Sequence, residues 1–318
     1  MNEAVEIVKN ELMLVEKGFN ETIPTDKPII GEVGHHIWQS GGKRLRPFSL
    51  LLAAKLCGYT GTSHIPLALV IEFIHTATLL HDDVVDNATL RRGVESANKL
   101  WGEGTSVLVG DYIIAKAFAI AIAEKDHEVL KVLSDTTTLM AEGEVMQLIN
   151  HSDTDTTEND YIKVITNKTA VLFSSATEIP AILAKAKPEK VKALREFGVE
   201  LGIAFQIMDD CLDYTSKNEE LGKTIGSDLR EGKVTLPLIK AIKSSSNEER
   251  EMLTLAVGKK DITEESLKNI INIIEKHGGI TYSLEKARHH VERAKECLEA
   301  FEPTVERAAL AAVADYVV

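Results

Sequence analysis

Hydrophobic residues along this chain recur mostly at spacings of three and four, which is the repeat of an α-helix with one buried face. Ala, Leu, Glu and Lys, which favour helices, are abundant. Alternating strand patterns joined by Asn-Gly or Asp-Gly turns are absent from the sequence. We therefore expect an all-α fold, with a single domain over residues 1–318 that contains about 12–13 helices.

Prolines and glycines divide this pattern into segments, because proline is tolerated at a helix start and glycine often follows a helix end. Pro180 is expected to end or kink the helix that contains Lys168. The interval 216–233 is long, charged and rich in glycine, and we expect a loop that closes over a binding site. Helices are predicted, with boundary errors of about two to four residues, over 2–20, 30–40, 47–57, 65–87, 106–124, 128–151, 158–184, 189–215, 234–244, 247–257, 263–277, 280–300 and 303–317.

Two acidic motifs of the form D-D-x-x-D stand out, at 82–86 and 209–213, each directly after an apolar stretch. On a helix, residues four apart share a face, so the first and last aspartates of each motif project together and repel each other. Oxygen-only ligands suit Mg²⁺, which keeps several waters and bridges to phosphate groups. Two solvated helix ends are the simpler interpretation, but the repetition behind two apolar runs favours a site for Mg²⁺ and phosphate between two facing helices.

Basic residues near these motifs are candidates for binding an anion. The segment 41–47, GGKRLRP, places Lys43 and Arg46 between a helix end and a helix start, and an arginine fork matches phosphate oxygens. Arg91 and Arg92 follow the first acidic motif and are either salt-bridge partners of the aspartates or part of a diphosphate site. Isolated lysines are more commonly surface residues, but three are further candidates: Lys168, Lys223 and Lys233.

Composition narrows the function further. The chain has 36 basic and 49 acidic residues, and its net charge of −13 argues against binding to nucleic acid or to an anionic membrane. The three cysteines are widely spaced, as expected for reduced thiols. The N-terminal segment lacks the features of a signal peptide, and no stretch reaches the ~18 apolar residues that a transmembrane segment requires. We therefore expect a cytoplasmic location.

A helical di-iron protein is one alternative. Glu72 and His75 match the E-x-x-H unit of such bundles, and Glu124 and His127 provide a second copy. The second copy lies in a polar stretch at an apparent helix end, whereas a di-iron core needs both units buried. The pattern therefore gives this alternative little support.

Taken together, the motifs resemble those of the trans-isoprenyl diphosphate synthases, also called polyprenyl synthetases. The similarity spans nearly the whole chain, with little contribution from the extreme N-terminus or from residues after about 245. In chain order, the matching segments are GGKRLRP at 41–47, EFIHTATLLHDDVVD at 72–86, LRRG at 90–93, LVGDY at 108–112, EGEVMQL at 142–148, NKTAVLF at 167–173, GIAFQIMDDCLDYT at 202–215 and LGKTIGSDLREGKVTLPL at 221–238.

The resemblance implies an all-α bundle around a deep central cavity and a condensation of an allylic diphosphate with isopentenyl diphosphate. It implies that Mg²⁺ is held by Asp82, Asp86 and Asp209, supported by Asp83, Asp210 and Asp213. The residues expected to be catalytic are Asp82, Asp83, Asp86, Arg91, Lys168, Asp209 and Asp210. The residues expected to bind substrate are Lys43, Arg46, His75, Arg91, Arg92, Lys168, Thr169, Gln206, Lys223 and Lys233.

The product chain is expected to grow along the helix that precedes the first motif. Ala77 and Thr78 lie one turn before Asp82, and their small side chains leave room for a long product. Ile74, Phe73, Met140 or Met146 would then form the floor of the cavity. We expect a product of octaprenyl class for a quinone side chain, made from farnesyl diphosphate.

The motifs leave other functions of the same chemical class open. The alternatives are a shorter-chain synthase that makes geranylgeranyl diphosphate, a class I terpene cyclase, and the non-catalytic subunit of a heteromeric synthase. The cyclase normally has a different second metal motif, and non-catalytic subunits usually lose acidic motifs that this chain retains. The resemblance also implies a homodimer.

Overall fold

The computed structural model describes residues 1–23, 26–215 and 225–318, and these residues are mostly helical. The all-α prediction is confirmed. The helices are α1 (Asn2–Thr22), α2 (Pro28–Gln39), α3 (Leu45–Leu56), α4 (His64–Val85), α5 (Ala97–Trp101), α6 (Glu103–Ala123), α7 (His127–Ile149), α8 (Glu158–Ile165), α9 (Val171–Leu183), α10 (Pro188–Thr215), α11 (Ser227–Arg230), α12 (Leu236–Ser244), α13 (Asn247–Ala256), α14 (Glu264–Lys276), α15 (Gly279–Cys297) and α16 (Val305–Val317).

Short elements account for most differences from the predicted segments. Strands β1 (Leu90–Arg91) and β2 (Val94–Glu95) form a small antiparallel hairpin after the first acidic motif. The hairpin, α5 and α11 are too short to produce a hydrophobic repeat, so periodicity did not predict them. A 3₁₀ turn, Leu298–Ala300, follows α15.

The predicted helix 158–184 is interrupted by a π-helical turn, Thr166–Ala170, between α8 and α9. This turn contains Lys168, whereas α9 runs through Pro180 and ends at Leu183, so the break precedes Pro180 instead of following it. Glycines allow the turn to pack closely: a Cβ at Gly143 would lie 2.6 Å from the Lys168 backbone nitrogen, and one at Gly202 would overlap Ala170. The turn is therefore held between α7 and α10.

Two hydrophobic clusters form the interior. The main core joins α1, α3, α4, α6, α7, α9, α16 and the first half of α10, with Phe73, Phe173 and Phe197 fully buried in it. The C-terminal core joins α8, the second half of α10 and α12 to α15, around residues such as Ile207 and Leu236. The helix α10 belongs to both clusters, and Cys211 places the second acidic motif at its end within the C-terminal core.

Two helices, α4 and α6, are long and apolar enough to span a membrane by length and composition alone. The most apolar window of α4 is 67% buried inside the protein, as expected for a core helix, while that of α6 is 33% buried. Apolar side chains on α6 such as Leu108 and Ile122 are exposed.

Candidate active site

A cavity of about 1610 Å³ is lined by the last turns of α4 and α10 together with the segments that follow them. The structure thus brings together residues that are far apart in the sequence. Lys223 lies outside the described residues, and Ala77 and Asp83 are fully buried behind the wall. The predicted site residues that line the cavity are Lys43, Arg46, His75, Thr78, Asp82, Asp86, Arg91, Arg92, Lys168, Thr169, Gln206, Asp209, Asp210, Asp213 and Lys233.

Asp83, the middle residue of the first motif, points into the protein. The Arg91 guanidinium donates to its Oδ1, with a distance of 2.9 Å from Nε and a second contact from Nη2. Burial lowers the pKa of Arg91, but the hydrogen bond and charge of Asp83 outweigh it and raise that pKa above its usual value. Asp83 therefore fixes Arg91, on β1, against the end of α4.

Asp82 shares a cation with Glu144 of α7. The Lys168 ammonium lies 2.5 Å from a Glu144 carboxylate oxygen and 3.8 Å from Asp82. Burial, together with repulsion from Glu144 and Asp86, raises the pKa of Asp82 to about 6, although Lys168 acts in the opposite direction. The acids at this end of the cavity therefore lack sufficient positive charge around them.

Asp86 ends α4 and contacts the segment that follows α10. The Lys233 ammonium donates to Asp86 at 2.7 Å and to Glu231 at 2.8 Å. Burial lowers the pKa of Lys233, but the carboxylates of Asp86, Asp228 and Glu231 outweigh it and raise that pKa. The sequence did not single out Asp228 and Glu231, because acidic residues in a charged loop are usually solvated.

Residues 225–233 are more ordered than the predicted loop over 216–233, and they contain α11. Backbone hydrogen bonds hold the segment at both sides: Ser152 N donates to Gly232 O, and Gly258 N donates to Leu229 O, each at 2.8 Å. The loop prediction is therefore wrong for this half of the interval. Residues 216–224 lie outside the described part of the chain.

In the second motif, two of the three aspartates accept hydrogen bonds from other groups of the protein. Asp210 accepts from the Tyr161 hydroxyl at 2.6 Å and from Gln206 Nε2 at 2.8 Å. Burial, and then the charge of Asp228, raise the pKa of Asp210 well above its usual value, against the effect of these hydrogen bonds.

Asp213 caps α11 by accepting from the backbone nitrogens of Ser227 and Asp228, each at 3.1 Å. Asp209, in contrast, is exposed at the cavity wall. Within this motif, Asp209 is therefore the aspartate most accessible from the cavity.

The site offers oxygen ligands for a metal ion, since Asp82, Asp86 and Asp209 all line the cavity. Among the residues that the structure describes, no three His, Cys, Asp or Glu side chains converge closely enough to hold an ion by themselves. This donor set fits Mg²⁺, whose remaining ligands are commonly water and substrate phosphate. The raised pKa of Asp82 is consistent with the same conclusion, because a cation would compensate the clustered carboxylates.

A second group of cations lines the same cavity. The Arg46 guanidinium lies 4.4 Å from the centre of the Phe173 ring, and its buried Nε has no hydrogen-bond partner among the residues that the structure describes. Burial lowers the pKa of Arg46 to about 10. Burial and the neighbouring arginines, Arg46 and Arg92 first among them, hold the pKa of His75 well below its usual range. Glu72 and Asp209 offset only part of the cost of burying the Arg46 charge, and an anion beside it would offset more.

The C-terminal helix also contributes to the cavity, which the sequence did not indicate. Tyr316 and Val317 line the cavity, and the Lys43 ammonium lies 4.8 Å from the centre of the Tyr316 ring. Nothing in the sequence near residue 316 resembles a binding motif. The contribution of α16 follows only from its packing against α3.

Glu72 has a structural partner, which argues against the di-iron alternative. Arg44 donates to Glu72 at 2.8 Å and to the Trp38 carbonyl at 2.9 Å, and its guanidinium stacks on the Trp38 ring. The second E-x-x-H unit lies at the junction of α6 and α7, where His127 is exposed. These two units therefore do not form a buried pair.

The cavity continues into an apolar region between α4, α6 and α7. Ala77, predicted to face the growing product, packs instead into the main core, as does Phe73. Thr78 is the small residue of the predicted pair that reaches the cavity. The residues that line this region are Ile74, Thr78, Ile114, Thr137, Met140 and Ala141.

Comparisons with known proteins agree with this geometry. The family model for polyprenyl synthetase matches residues 27–274. The chain is 40% identical over 309 residues to octaprenyl diphosphate synthase of Escherichia coli (strain K12), covering 97% of this chain and 95% of that one. It is 43% identical over 304 residues to the all-trans-nonaprenyl-diphosphate synthase (geranyl-diphosphate specific) of Rhodobacter capsulatus, covering 95% and 93%.

The same holds for solved structures. The crystal structure of polyprenyl synthase from Caulobacter crescentus CB15, complexed with calcium and isoprenyl diphosphate, superimposes with a TM-score of 0.96. The two chains are 39% identical, and the match covers 99% of this chain and 96% of that one. This chain therefore belongs to the polyprenyl synthetase family, and it is an enzyme of the prenyl diphosphate synthase class.

Proposed function

We propose that this enzyme condenses farnesyl diphosphate with successive molecules of isopentenyl diphosphate and releases an all-trans-polyprenyl diphosphate of octaprenyl class, used as a quinone side chain. One observation carries this proposal. Accessible carboxylates from both acidic motifs line the same cavity as several lysine and arginine side chains, and that cavity continues into an apolar region. Such a site suits two diphosphates and a growing hydrocarbon chain.

The allylic diphosphate binds on the side of the acidic motifs. Arg91, Lys168 and Lys233 are held there by Asp83, Glu144 and Asp86, respectively. As the allylic C–O bond breaks, negative charge develops on the departing diphosphate, and these cations stabilise it. Asp82, Asp86 and Asp209 would hold Mg²⁺, and the bound ion would supply Lewis-acid stabilisation of the same leaving group.

Isopentenyl diphosphate binds on the opposite side, to Lys43, Arg46, His75 and Arg92. The support for this assignment is the positive charge of Arg46, whose buried Nε finds no hydrogen-bond partner in the described part of the chain. A diphosphate there would supply the missing acceptor. Its position fixes the double bond of isopentenyl diphosphate so that it faces the allylic carbon.

Positive charge on the allylic carbon is stabilised by protein oxygens and protected from water. Thr169 and Gln206 line the cavity and offer side-chain oxygens, and Phe173 and Phe205 add apolar surface. The double bond attacks, a new carbon–carbon bond forms, and a proton is lost. We assign that proton to the departing diphosphate, which is the strongest base next to the reacting carbons.

Product length follows from the depth of the apolar region. Thr78 is small and lies where a larger side chain would block the cavity. The octaprenyl and nonaprenyl products named for the two relatives support a long chain. A geranylgeranyl diphosphate synthase is the alternative, and a non-catalytic subunit is disfavoured because both acidic motifs are complete.

We further propose that the enzyme is a cytoplasmic homodimer that joins through α6 and α7. Apolar side chains on these helices are strongly exposed without lining the cavity, among them Leu108 at 69% on α6 and Ile149 at 73% on α7. Exposed apolar surface of this kind is usually covered in an assembly. Light scattering at micromolar concentration would give the mass of a dimer, whereas the mass of one chain would contradict the assignment.

Product sizing tests the proposed function. The purified enzyme is incubated with labelled isopentenyl diphosphate, farnesyl diphosphate and MgCl₂, and the products are dephosphorylated and separated by chain length. We expect products of about eight isoprene units, as in the octaprenyl relative. A product of four units would favour the geranylgeranyl alternative. No consumption of isopentenyl diphosphate with geranyl, farnesyl or geranylgeranyl primers would exclude the proposed reaction.

A further inference from the structure

Four side chains form a continuous hydrogen-bonded chain from α8 to the π-helical turn. The Tyr161 hydroxyl donates to Asp210 at 2.6 Å, and Gln206 Nε2 donates to the other Asp210 oxygen at 2.8 Å. The Thr169 hydroxyl then donates to Gln206 Oε1 at 2.9 Å. All four residues line the cavity, and Tyr161 is only 5% exposed.

The chemistry of these groups fixes the direction of the chain. Asp210 accepts from both neighbours, and Gln206 turns its NH₂ group towards Asp210 Oδ1. The amide carbonyl then faces Thr169, and a carbonyl can only accept. The Thr169 hydroxyl therefore gives its proton to Gln206, and only the lone pairs of its oxygen remain for a group in the cavity.

Tyr161 is well placed to hold this arrangement. It lies in α8, whose first turn is fixed by reciprocal hydrogen bonds between Thr157 and Asp160. Its hydroxyl occupies the second Asp210 oxygen, so that the carboxylate cannot rotate without losing a buried hydrogen bond, at a cost of about 1–3 kcal/mol. The other three members lie on α10 and on the turn that packs against it.

We propose that Tyr161 is a positioning residue that acts through Asp210 and Gln206 to make Thr169 present an acceptor-only oxygen to the cationic allylic carbon. The inference rests on the proposed prenyl transfer. It assigns Tyr161 a task outside the two acidic motifs, 49 residues before Asp210. The oriented oxygen stabilises positive charge that exists only after the C–O bond has begun to break, so it acts on the transition state more than on the bound substrate.

Two inhibitors with the same diphosphate separate this role from a structural one. The first is an allylic thiolodiphosphate, which is neutral at the reacting carbon; the second is an aza analogue with an ammonium group near that position. The affinities of both are measured by calorimetry at one pH in the wild-type enzyme and in Tyr161→Phe. We expect Tyr161→Phe to bind the ammonium analogue about 10-fold more weakly and the thiolodiphosphate unchanged. Its kcat should fall with little change in the KM for isopentenyl diphosphate.

Tyr214→Phe is the matched control. Tyr214 is also buried, and its hydroxyl hydrogen-bonds to Thr235 Oγ1 at 3.2 Å, away from Gln206 and Thr169. This variant removes the same group and should keep the wild-type preference for the ammonium analogue. Thermal midpoints of both variants show that each is folded.

Thr169 provides an independent variant should Tyr161→Phe not fold. Thr169→Val removes the oxygen and should lose the same ammonium preference, whereas Thr169→Ser should retain it. Equal weakening of both inhibitors in Tyr161→Phe, or no change in either, would overturn the inference. A wild-type enzyme that does not condense prenyl diphosphates would instead contradict the proposed function, so the two failures are distinguishable.

Discussion

Lys233 and Asp86 are 147 residues apart in the sequence, yet the Lys233 ammonium lies 2.7 Å from a carboxylate oxygen of Asp86. This ion pair joins the end of α4 to the segment that follows α10. Both side chains are about four-fifths buried, with exposures of 20% and 18%. The pair therefore keeps a cation beside the first acidic motif, where we propose that the allylic diphosphate binds.

Lys233→Gln removes this cation. We expect kcat/KM for the allylic diphosphate to fall about 10- to 100-fold, because a charge-assisted contact to the leaving group is lost. Initial rates at varied allylic substrate measure the effect. Lys240→Gln is the control. Lys240, on α12, lies over the ring of Tyr282 and does not line the cavity. Equal kinetics for both variants would contradict the role of Lys233.

Asp82→Asn should stabilise the metal-free protein while it abolishes activity. The pKa of Asp82 is raised to about 6, chiefly by burial. A carboxyl group with a higher pKa in the folded state destabilises the fold once ionised, so stability falls as the pH rises from about 4 towards 6 and stays lower above that. In EDTA at pH 8 we expect the free energy of unfolding of Asp82→Asn to exceed that of the wild type by on the order of 1 kcal/mol, or about 2 °C in thermal midpoint. This difference should shrink towards pH 5. A loss of stability at pH 8 would contradict this.

Arg46 and Arg44 should respond oppositely to replacement by methionine. Arg46→Met removes a buried charge whose Nε has no partner, so we expect stability to be unchanged or higher while the KM for isopentenyl diphosphate rises at least 10-fold. Arg44→Met leaves Glu72 buried without its ion pair and should cost about 3–5 kcal/mol. Denaturant unfolding and steady-state kinetics measure both. Similar losses of stability in the two variants would mean that Arg46 is structural.

Product length should depend on Thr78 and not on Ala77. Thr78→Phe places an aromatic ring in the apolar region and should shorten the product by several isoprene units. Ala77→Phe inserts the same ring into the packed main core and should destabilise the fold by about 1–3 kcal/mol. Chromatography of dephosphorylated products and thermal unfolding distinguish the two. If a folded Thr78→Phe enzyme still made the full-length product, the floor of the cavity would lie elsewhere and the role of Thr78 would be contradicted.

Local patterns in the sequence predicted the long helices and the two acidic motifs. The predicted helix 65–87 corresponds to α4, His64–Val85, because its apolar positions repeat over six turns. The acidic motifs were also visible, since carboxylates in this spacing have no ordinary role beside apolar runs. These features depend only on residues that are neighbours in the chain.

The tertiary partners of the acidic residues could not be predicted in the same way. Helical spacing placed Asp209 and Asp213 on one face, yet Asp213 caps α11, an element too short to give a periodic signal. Tyr161 and Tyr316 carry no motif, and their positions follow from packing between distant helices. Ala77 and Thr78 are adjacent, so the sequence alone did not decide which one faces the cavity.

We propose above all that Asp82 and Asp209 together hold an allylic diphosphate through Mg²⁺ at the cavity wall. Calorimetric binding of farnesyl thiolodiphosphate, with MgCl₂ or with EDTA, tests it in the wild-type enzyme, Asp82→Asn and Asp209→Asn. Asp228→Asn is an informative addition, because Asp228 lines the same cavity but belongs to neither motif. We predict wild-type binding that requires Mg²⁺ and falls at least 100-fold in each motif variant. Equally tight binding in EDTA, or in both motif variants, would contradict the account.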